Sequence, residues 1–390
     1  MITVAQALDA LFALVAPMPD EVVPLHAANG RVLAKDAVAV RDQPPFAASA
    51  MDGYAVRGAD VKTGATFDVV GEAAAGHAYS ETVTSGQAAR IFTGAPMPNG
   101  TDYVVIQEDV TRVGDTITVN ANAAQNPYVR KAGADFRIGD KLAAPRKISP
   151  SDTALLAAMN VPKVTVARKP VVAIIATGDE LVQPGESPAP DQIIASNTHG
   201  LAALLAANGA TPRLLPIARD NHASLEHCLA LASDADVIIT IGGASVGDHD
   251  LVGAVAADMG LDRSFYKVAM RPGKPLMAGR LGKAMLIGLP GNPVSAMVCG
   301  HIFVLPVIRA MTGMQALASP RRTATLAHDI AQNGPREHYM RAKVDADGVT
   351  IFARQDSALL TVLADANCLA VRAPHAPKAG QGDMIEIIDL

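Results

Sequence analysis

Apolar runs and amphipathic runs alternate through the second half of the chain. From Pro170 onward, VVAIIATG is apolar up to its closing glycine, and NTHGLAALLAANG follows with helical spacing, Asn197 standing as its cap and Gly209 as its stop. The same alternation repeats as TPRLLPIA, HASLEHCLALAS, DVIITIGG, DLVGAVAADMG, an extended SFYKVAM, AMLIGLPG and the long helix NPVSAMVCGHIFVLPVIRAM. Strands alternating with helices predict a doubly wound, mostly parallel sheet, and continuously apolar strands are expected where both sheet faces are covered.

The flanking sequence has a different texture. Residues 3–16 predict a helix capped by Thr3 and stopped before Pro17 and Pro19. Residues 38–57 read as a loop leading into a short strand, with Pro44 and Pro45 excluding regular ladder pairing. Short β-branched runs fill 66–119, broken by Gly71, Gly76, Gly86, Gly100 and Gly114, and predict a small β domain. SDTALLAAM predicts a helix over 151–159, capped by Ser151 or a neighbour. It is expected to pack against the N-terminal helix, with the β region inserted between them. After Thr312, HYMRAKVDADGVTIFARQ reads as a hairpin around Asp347 and Gly348, and GQGDMIEIIDL as a last strand. The expected organisation is α/β multidomain: a discontinuous N-terminal α+β domain (1–40 and 137–169), an inserted β domain (41–136), the doubly wound α/β domain (170–317) and a C-terminal β domain (318–390).

Composition narrows the function. The 390 residues are 49% apolar and 18% charged, which excludes a disordered chain. With 33 basic and 38 acidic side chains the net charge is −5, so no global basic field exists to coat nucleic acid. Aromatics are 4% of residues and Trp is absent, which argues against a stacking platform for single strands. Cys228, Cys299 and Cys368 lie far apart, excluding a disulfide framework or a paired-cysteine zinc site. The N-terminal stretch lacks a basic segment before its apolar residues and is read as an amphipathic helix rather than a signal peptide. The uncharged stretch 284–308 is long enough for a membrane span, but Pro290, Gly291, Asn292, Pro293 and Pro306 interrupt it. It is read as a buried strand, a loop and a helix, in a soluble cytoplasmic protein that binds neither membrane nor nucleic acid.

Open α/β sheets bind ligands at the carboxyl ends of their strands. Those ends carry ATGDE (176–180), Arg219-Asp220, GGASVGDHD (242–250), MRPGKP (270–275) and GLPGNP (288–293). Glycine-rich loops let backbone N–H groups approach an oxyanion, and a following helix adds its dipole. Arg271 and Lys274 add positive charge on a proline-stiffened loop. Glu180, Asp220, Asp248 and Asp250 add carboxylates, which repel phosphate unless a hard divalent cation lies between, the usual setting of Mg²⁺. The set points to an Mg²⁺-dependent site for a phosphorylated or oxyanionic ligand. Each residue also has a plain structural reading: a tight turn at Gly242 and Gly243, a helix cap at Asp250, a surface carboxylate at Glu180, a solvated pair at Arg271 and Lys274, a loop residue at His249. Asp52 in AMDGYA and Thr93 in IFTGAP read alone as a turn aspartate and a strand-end threonine. The glycines match neither a dinucleotide fingerprint nor a Walker loop.

Taken together, PPFAASAMDGYAVR, VGEAAAG, RIFTGAPMPNGTDYVVIQED, ATGDEL, SNTHGLAALL, ITIGGASVGDHD, MRPGKPL and GLPGNPVSA resemble the molybdopterin molybdenumtransferase family, the bacterial MoeA proteins and the E domain of their plant and animal relatives. The resemblance spans nearly the whole chain and implies an α/β domain of the MoCF type. It implies the last step of molybdenum cofactor assembly, in which adenylylated molybdopterin and molybdate enter, AMP leaves, and molybdenum is ligated by the dithiolene sulfurs. It implies Mg²⁺ or a similar divalent cation, and a homodimer whose site forms between the α/β domain of one subunit and the inserted β domain of the other. By motif, Asp52, Thr93, Asp135, Glu180, Asp220, Asp250, Arg271, Lys274, Pro290 and Pro293 take the family's functional positions. Glu180, Asp220 and Asp250 are expected at the metal and phosphate end. Arg271 and Lys274, assisted by Ser245, are expected on the oxyanion, and Asp52 acts from the partner subunit. Arg271 stands where many relatives have Lys, which keeps the charge and changes the donor geometry. An upstream adenylyltransferase and downstream molybdenum enzymes are the expected protein partners. Two other readings stay in view: a MogA-like molybdopterin adenylyltransferase, which shares the α/β domain but not MDGYAV, and a non-enzymatic scaffold.

Overall fold

The computed structural model describes residues 1–121, 126–243, 251–315 and 317–390. Thr3 caps the first helix, Val4–Ala13, through a reciprocal box: its side chain accepts from Gln6 N, and the Gln6 side chain accepts from Thr3 N. Val4, Ala7, Leu8 and Leu11 form the apolar stripe. That stripe enters the core of the α/β body, not the second helix as the sequence suggested. Residue 2 decides this. Ile2 N donates to Lys267 O and Ile2 O accepts from Ala269 N, so the helix starts already pinned to the α/β body.

The second helix, Pro150–Ala158, is capped by Ser149 and buries Leu156 in a separate small core with Val23, Leu33, Ile148 and Val164. Around that core four strands run antiparallel in the order Asp20–Pro24, Lys163–Ala167, Val32–Leu33, Arg146–Lys147. The β region between them is a six-stranded sheet ordered Tyr103–Ile106, Gly53–Val56, Gln87–Ile91, Thr66–Ala73, Thr116–Val119, Val110–Val113. Phe67, Val105 and Ile117 form its buried centre.

The α/β sheet is ordered Thr211–Leu214, Val171–Ala176, Val237–Ile241, Ala284–Leu289, Met277–Leu281, Asp262–Tyr266. The first four strands are parallel; Met277–Leu281 runs antiparallel to its neighbours on both sides, joined to Ala284–Leu289 by the hairpin at Gly282 and Lys283, so Asp262–Tyr266 at the edge points the same way as the first four. Val237–Ile241 is buried along its whole length, with one core above the sheet and another below, which is why its sequence does not alternate. Pro293–Met311 has the length and mean hydropathy (1.8) of a membrane span, but 78% of its most apolar window is buried inside the fold, as a core helix. It widens into a π-helical turn over Gly300–Val304 just ahead of Pro306, which has no N–H to give the preceding turn.

The C-terminal sheet is ordered Met270–Arg271, Glu337–Asp345, Cys368–Arg372, Met384–Asp389, Arg322–Thr325, with Gly348–Ile351 paired to the far end of Glu337–Asp345. The hairpin turn is Ala346 and Asp347, since Gly348 already pairs with Asp345. A short helix, Leu360–Asp365, was not anticipated from the sequence. Tyr339, Leu369, Val371 and Ile388 enter the same core as the α/β helices, so the two domains share apolar packing.

Leu11 is fully buried where the N-terminal helix meets the α/β body. Leu11→Ala should cost about 2–5 kcal/mol and lower the urea midpoint of the transition that unfolds this body; an unchanged midpoint would show that the helix is not part of the core.

Candidate active site

Four parallel strands deliver their carboxyl ends to one rim. Val171–Ala176 runs into Thr177, Gly178 and Glu180. The extended stretch after Thr211–Leu214 reaches Ala218, which bridges Thr177, and then Asp220. Val237–Ile241 ends in Gly242 and Gly243, and Ala284–Leu289 ends in Pro290 and Gly291. A cleft of about 1180 Å³ opens at this rim and is lined by all four ends.

Side chains would not fit between these ends. Gly242 and Gly243 have φ of +91° and +63°, and a β-carbon on them would lie 2.7 Å from Thr177 O and 2.5 Å from Val252 Cγ2. Gly178, at φ +149°, leaves the space into which the Glu180 carboxylate folds back: a β-carbon there would stand 2.3 Å from Glu180 Oε2. Arg219 ties the same turn, its Nη1 donating to the carbonyls of Gly178 (3.4 Å), Asp179 (3.1 Å) and Leu181 (3.1 Å). Asp179 Oδ1 in turn accepts from Asp220 N at 3.1 Å. Glu180 and Asp220 are exposed side chains on turns locked to each other.

The cationic lining comes from two domains. Met270–Arg271 is the edge strand of the C-terminal sheet, with Arg271 opposite His338. Arg271 and Lys274 both line the cleft, and so does Arg336, whose Nη1 donates to Met270 O at 3.3 Å. Gln355, Asp356 and Ser357 complete the wall. Asn292 Nδ2 donates to Ser357 Oγ (2.9 Å) and Val294 N to Ser357 O (3.0 Å), which clamps the C-terminal loop onto the start of helix Pro293–Cys299. Pro290 is buried and Pro293 opens the helix, both shaping the floor. Asn197, expected as a helix cap, lies within the helix Asn197–Ala207; its Nδ2 donates to Gly291 O at 2.7 Å and holds that loop down.

The cleft thus gathers Glu180, Asp220, Arg271, Lys274, Pro290 and Pro293 from the residues singled out in the sequence. Ser245 and Asp250, with Asp248 and His249, lie outside the described residues. Asp52, Thr93 and Asp135 do not line the cleft of their own chain. Arg336, Gln355, Asp356 and Ser357 escaped the sequence reading. Arg336 precedes a hairpin in a plainly β segment and the other three follow it, and the pairing of Met270–Arg271 with Glu337 and His338 brings this segment to the rim.

Asp52 and Thr93 form a site of their own on the inserted β domain. Thr93 N (2.7 Å) and Thr93 Oγ1 (2.8 Å) both donate to Asp52 Oδ1. The Thr93 N–H first, then its hydroxyl and the charge of Arg90, hold the Asp52 carboxyl below the ordinary aspartate range. Arg90 lies over the rings of Tyr54 and Phe92 and donates to Gly53 O and Gln107 Oε1. Asp135 is exposed on a separate loop, its N–H donating to Gln43 O.

Among the described residues no three His, Cys, Asp or Glu side chains gather as a ready metal cage. Glu180 and Asp220 on one wall offer hard carboxylate oxygens without competing sulfur or imidazole. This suits Mg²⁺, which takes one or two carboxylates and completes its shell with water and phosphate oxygens.

The fold and the cleft define a class: a multidomain α/β protein with a charged cleft at the carboxyl rim of a parallel sheet, walled in part by a second, β domain. Comparison with known proteins narrows it. Residues 2–160 match the MoeA N-terminal region (domain I and II), 173–310 a probable molybdopterin binding domain and 323–390 the MoeA C-terminal region (domain IV). The chain belongs to the MoeA family. It is 39% identical over 367 residues to a molybdopterin molybdenumtransferase of Nostoc sp., covering 90% of this chain and 84% of the relative. It is 34% identical over 380 residues to one of Haemophilus influenzae, covering 95% and 94%. A crystal structure of a molybdopterin biosynthesis MoeA protein from Pyrococcus horikoshii superposes with a TM-score of 0.86 at 27% identity, covering 100% of both chains.

Thr93→Val keeps the backbone donor and removes the hydroxyl. A carbon-13 NMR titration should show the Asp52 carboxyl moving up toward the ordinary value. The wild-type carboxylate contributes stability at and above the ordinary aspartate range, and that contribution is lost as pH falls through its lowered folded value, so the variant should begin to lose it at higher pH. An unmoved titration would mean that the hydroxyl does not bind the carboxylate.

Proposed function

We propose that this chain is a molybdopterin molybdenumtransferase, joining molybdate to adenylylated molybdopterin with release of AMP to form molybdenum cofactor. One observation carries the reading: Arg271, Lys274 and Arg336 line the same cleft as Glu180 and Asp220 in a protein whose net charge is −5. The cations suit a doubly negative tetrahedral oxyanion, and Arg271 and Arg336 offer planar forks of donors to its oxygens. The carboxylates suit the nucleotide end, where Glu180, Asp220 and Asp250 would hold Mg²⁺. When bound, the ion supplies charge neutralisation for the phosphate oxygens.

The protein's own part is positioning. The turn locked by Arg219 fixes Glu180 and Asp220, the loop 271–275 fixes Lys274, and the clamp at Ser357 sets the width of the cleft. Fixed charge aimed at the reacting phosphate and oxyanion lowers the barrier without reorganisation during the reaction, the usual economy of phosphoryl chemistry. Asp52 stays ionised through its Thr93 donors and is absent from its own chain's cleft. This supports a homodimer in which the inserted β domain of one subunit brings Asp52, Thr93 and Asp135 to the cleft of the other. The protein works in the cytoplasm, downstream of an adenylyltransferase and upstream of the enzymes that receive the cofactor.

The test is incubation of the purified protein with adenylylated molybdopterin, molybdate and Mg²⁺. AMP release coupled to active cofactor is expected; ATP-dependent adenylylation of molybdopterin would instead make this a MogA-like adenylyltransferase. Lys274→Ala and Asp52→Asn should each lower AMP release by ~10²-fold with the fold and oligomeric state retained. Full activity in both variants would mean that the catalytic assignment of these residues is wrong; no AMP release by the wild type would leave the scaffold reading standing. Removal of divalent cations by a chelator should abolish release, and added Mg²⁺ should restore it.

A further inference from the structure

In the inserted β domain the strand Gln87–Ile91 lies between Gly53–Val56, which begins one residue after Asp52, and Thr66–Ala73. Strand alternation puts Arg90 on the face of Ala88, which is buried in the small core with Tyr54. The guanidinium carbon of Arg90 lies 5.1 Å from the centre of the Tyr54 ring and 4.8 Å from that of Phe92. Tyr54 stands directly opposite it in the ladder, two residues after Asp52, and Phe92 immediately precedes Thr93. The guanidinium is therefore seated against both segments that carry the Asp52–Thr93 pair, steadied there by cation–π attraction.

Its two terminal nitrogens reach two different supports of Asp52. Nη1 donates to Gly53 O at 3.1 Å and Nη2 to Gln107 Oε1 at 2.7 Å. Gly53 follows Asp52 in the chain and is pressed so close to the next strand that a β-carbon there would lie 2.2 Å from Val105 O. Gln107 donates its own N–H to Asp52 O at 3.1 Å. Arg90 thus closes a circuit from Asp52 through Gly53, the guanidinium and Gln107 back to Asp52. Within it, Asp52 Oδ1 takes both Thr93 donors, while Oδ2 accepts no hydrogen bond from the described residues. What fixes the Asp52 main chain therefore also fixes where Oδ2 points. Among the described residues no carboxylate pairs with Arg90: Glu72, opposite it on the other neighbouring strand, is exposed and makes no ion pair with it. After the two Thr93 donors, the charge of Arg90 is what holds the Asp52 carboxyl low. Lysine would supply a charge at this place, but a planar fork is needed to span two acceptors in one geometry.

We propose that Arg90 is a positioning residue for Asp52: by bridging Gly53 to Gln107 it fixes the turn that carries Asp52, and so aims the open carboxylate oxygen at the substrate in the partner subunit's cleft. Arg90 touches no substrate itself. The inference rests on the transferase reading and on the homodimer in which Asp52 crosses to the other cleft. It separates two tasks on the inserted domain: Thr93 holds the carboxylate, and Arg90 holds the backbone beneath it.

AMP release from adenylylated molybdopterin with molybdate and Mg²⁺ tests this on the full chain, in wild type, R90M, R90K, D52N and the double variant R90M/D52N, with the oligomeric state checked by sedimentation. R90M keeps an unbranched side chain against the two aromatic rings and loses the fork and the charge. It should lower kcat about tenfold or more, while the KM for molybdate stays at the wild-type value because Arg271 and Lys274 are untouched. R90K, which keeps the charge without the fork, should lie nearer to R90M than to wild type. In the D52N background R90M should cause no further loss, since residues that act through one another are not additive. If R90M does not form the folded dimer, R90K carries the same cycle with D52N. Wild-type kcat in R90M or R90K overturns the inference. So does a loss in the double variant equal to the product of the single losses, or a raised KM for molybdate, either of which would mark Arg90 as a structural residue of the inserted domain. AMP release by wild type and R90M alike removes only the role of Arg90; no release by wild type removes the transferase reading and this inference with it.

Discussion

Backbone rests directly on backbone where the parallel strands of the α/β sheet end. A β-carbon on Gly291 would lie 3.4 Å from Gly242 Cα, and Gly242 itself abuts the Thr177 carbonyl. No side chain separates the three loops, so they share one rim. Each strand behind them is gripped by apolar cores on both faces, which fixes the rim while leaving the turns free to carry polar groups. Glu180 folding over Gly178, the Arg219 bonds to three carbonyls and the Asn197 bond to Gly291 O all depend on that close approach.

The opposite wall obeys a different constraint. Arg271 and Lys274 leave the α/β domain on a loop whose first two residues are the edge strand of the C-terminal sheet. A displacement of the C-terminal domain would therefore carry Arg271, Arg336 and Ser357 together, and the clamp to Asn292 and Val294 opposes it. Arg271, Lys274 and Arg336 gathered at one cleft give a chain of net negative charge a local concentration of positive charge.

Much of this was legible in the sequence where local rules dominate. The alternating α/β pattern, the Thr3 cap and the buried strand Val237–Ile241 follow from periodicity and capping, and MDGYAV, TGAPMP, RPGKP and GLPGNPVSA carried the family. The packing of the first helix was not legible, because Ile2 chooses its partner by a single pair of backbone bonds to residues 267 and 269. Nor was the far wall. Arg336 and Ser357 flank a stretch whose pattern says only a β-hairpin, and they reach the cleft through a pairing between segments some seventy residues apart in sequence. Thr93 meeting Asp52 was half visible: each lay in a conspicuous motif, but their contact is a product of the sheet order, with Gly53–Val56 beside Gln87–Ile91.

Because Arg336, Gln355, Asp356 and Ser357 form the second wall, the pocket is complete only after the α/β body has already been synthesised. Domains fold largely as units while the nascent polypeptide leaves the ribosome, earlier segments first. The carboxyl rim can thus assemble as a half-open shelf, and translation must run past residue 358 before the shelf gains its lid. The anion is captured by a finished protein and cannot template the early stages of its birth.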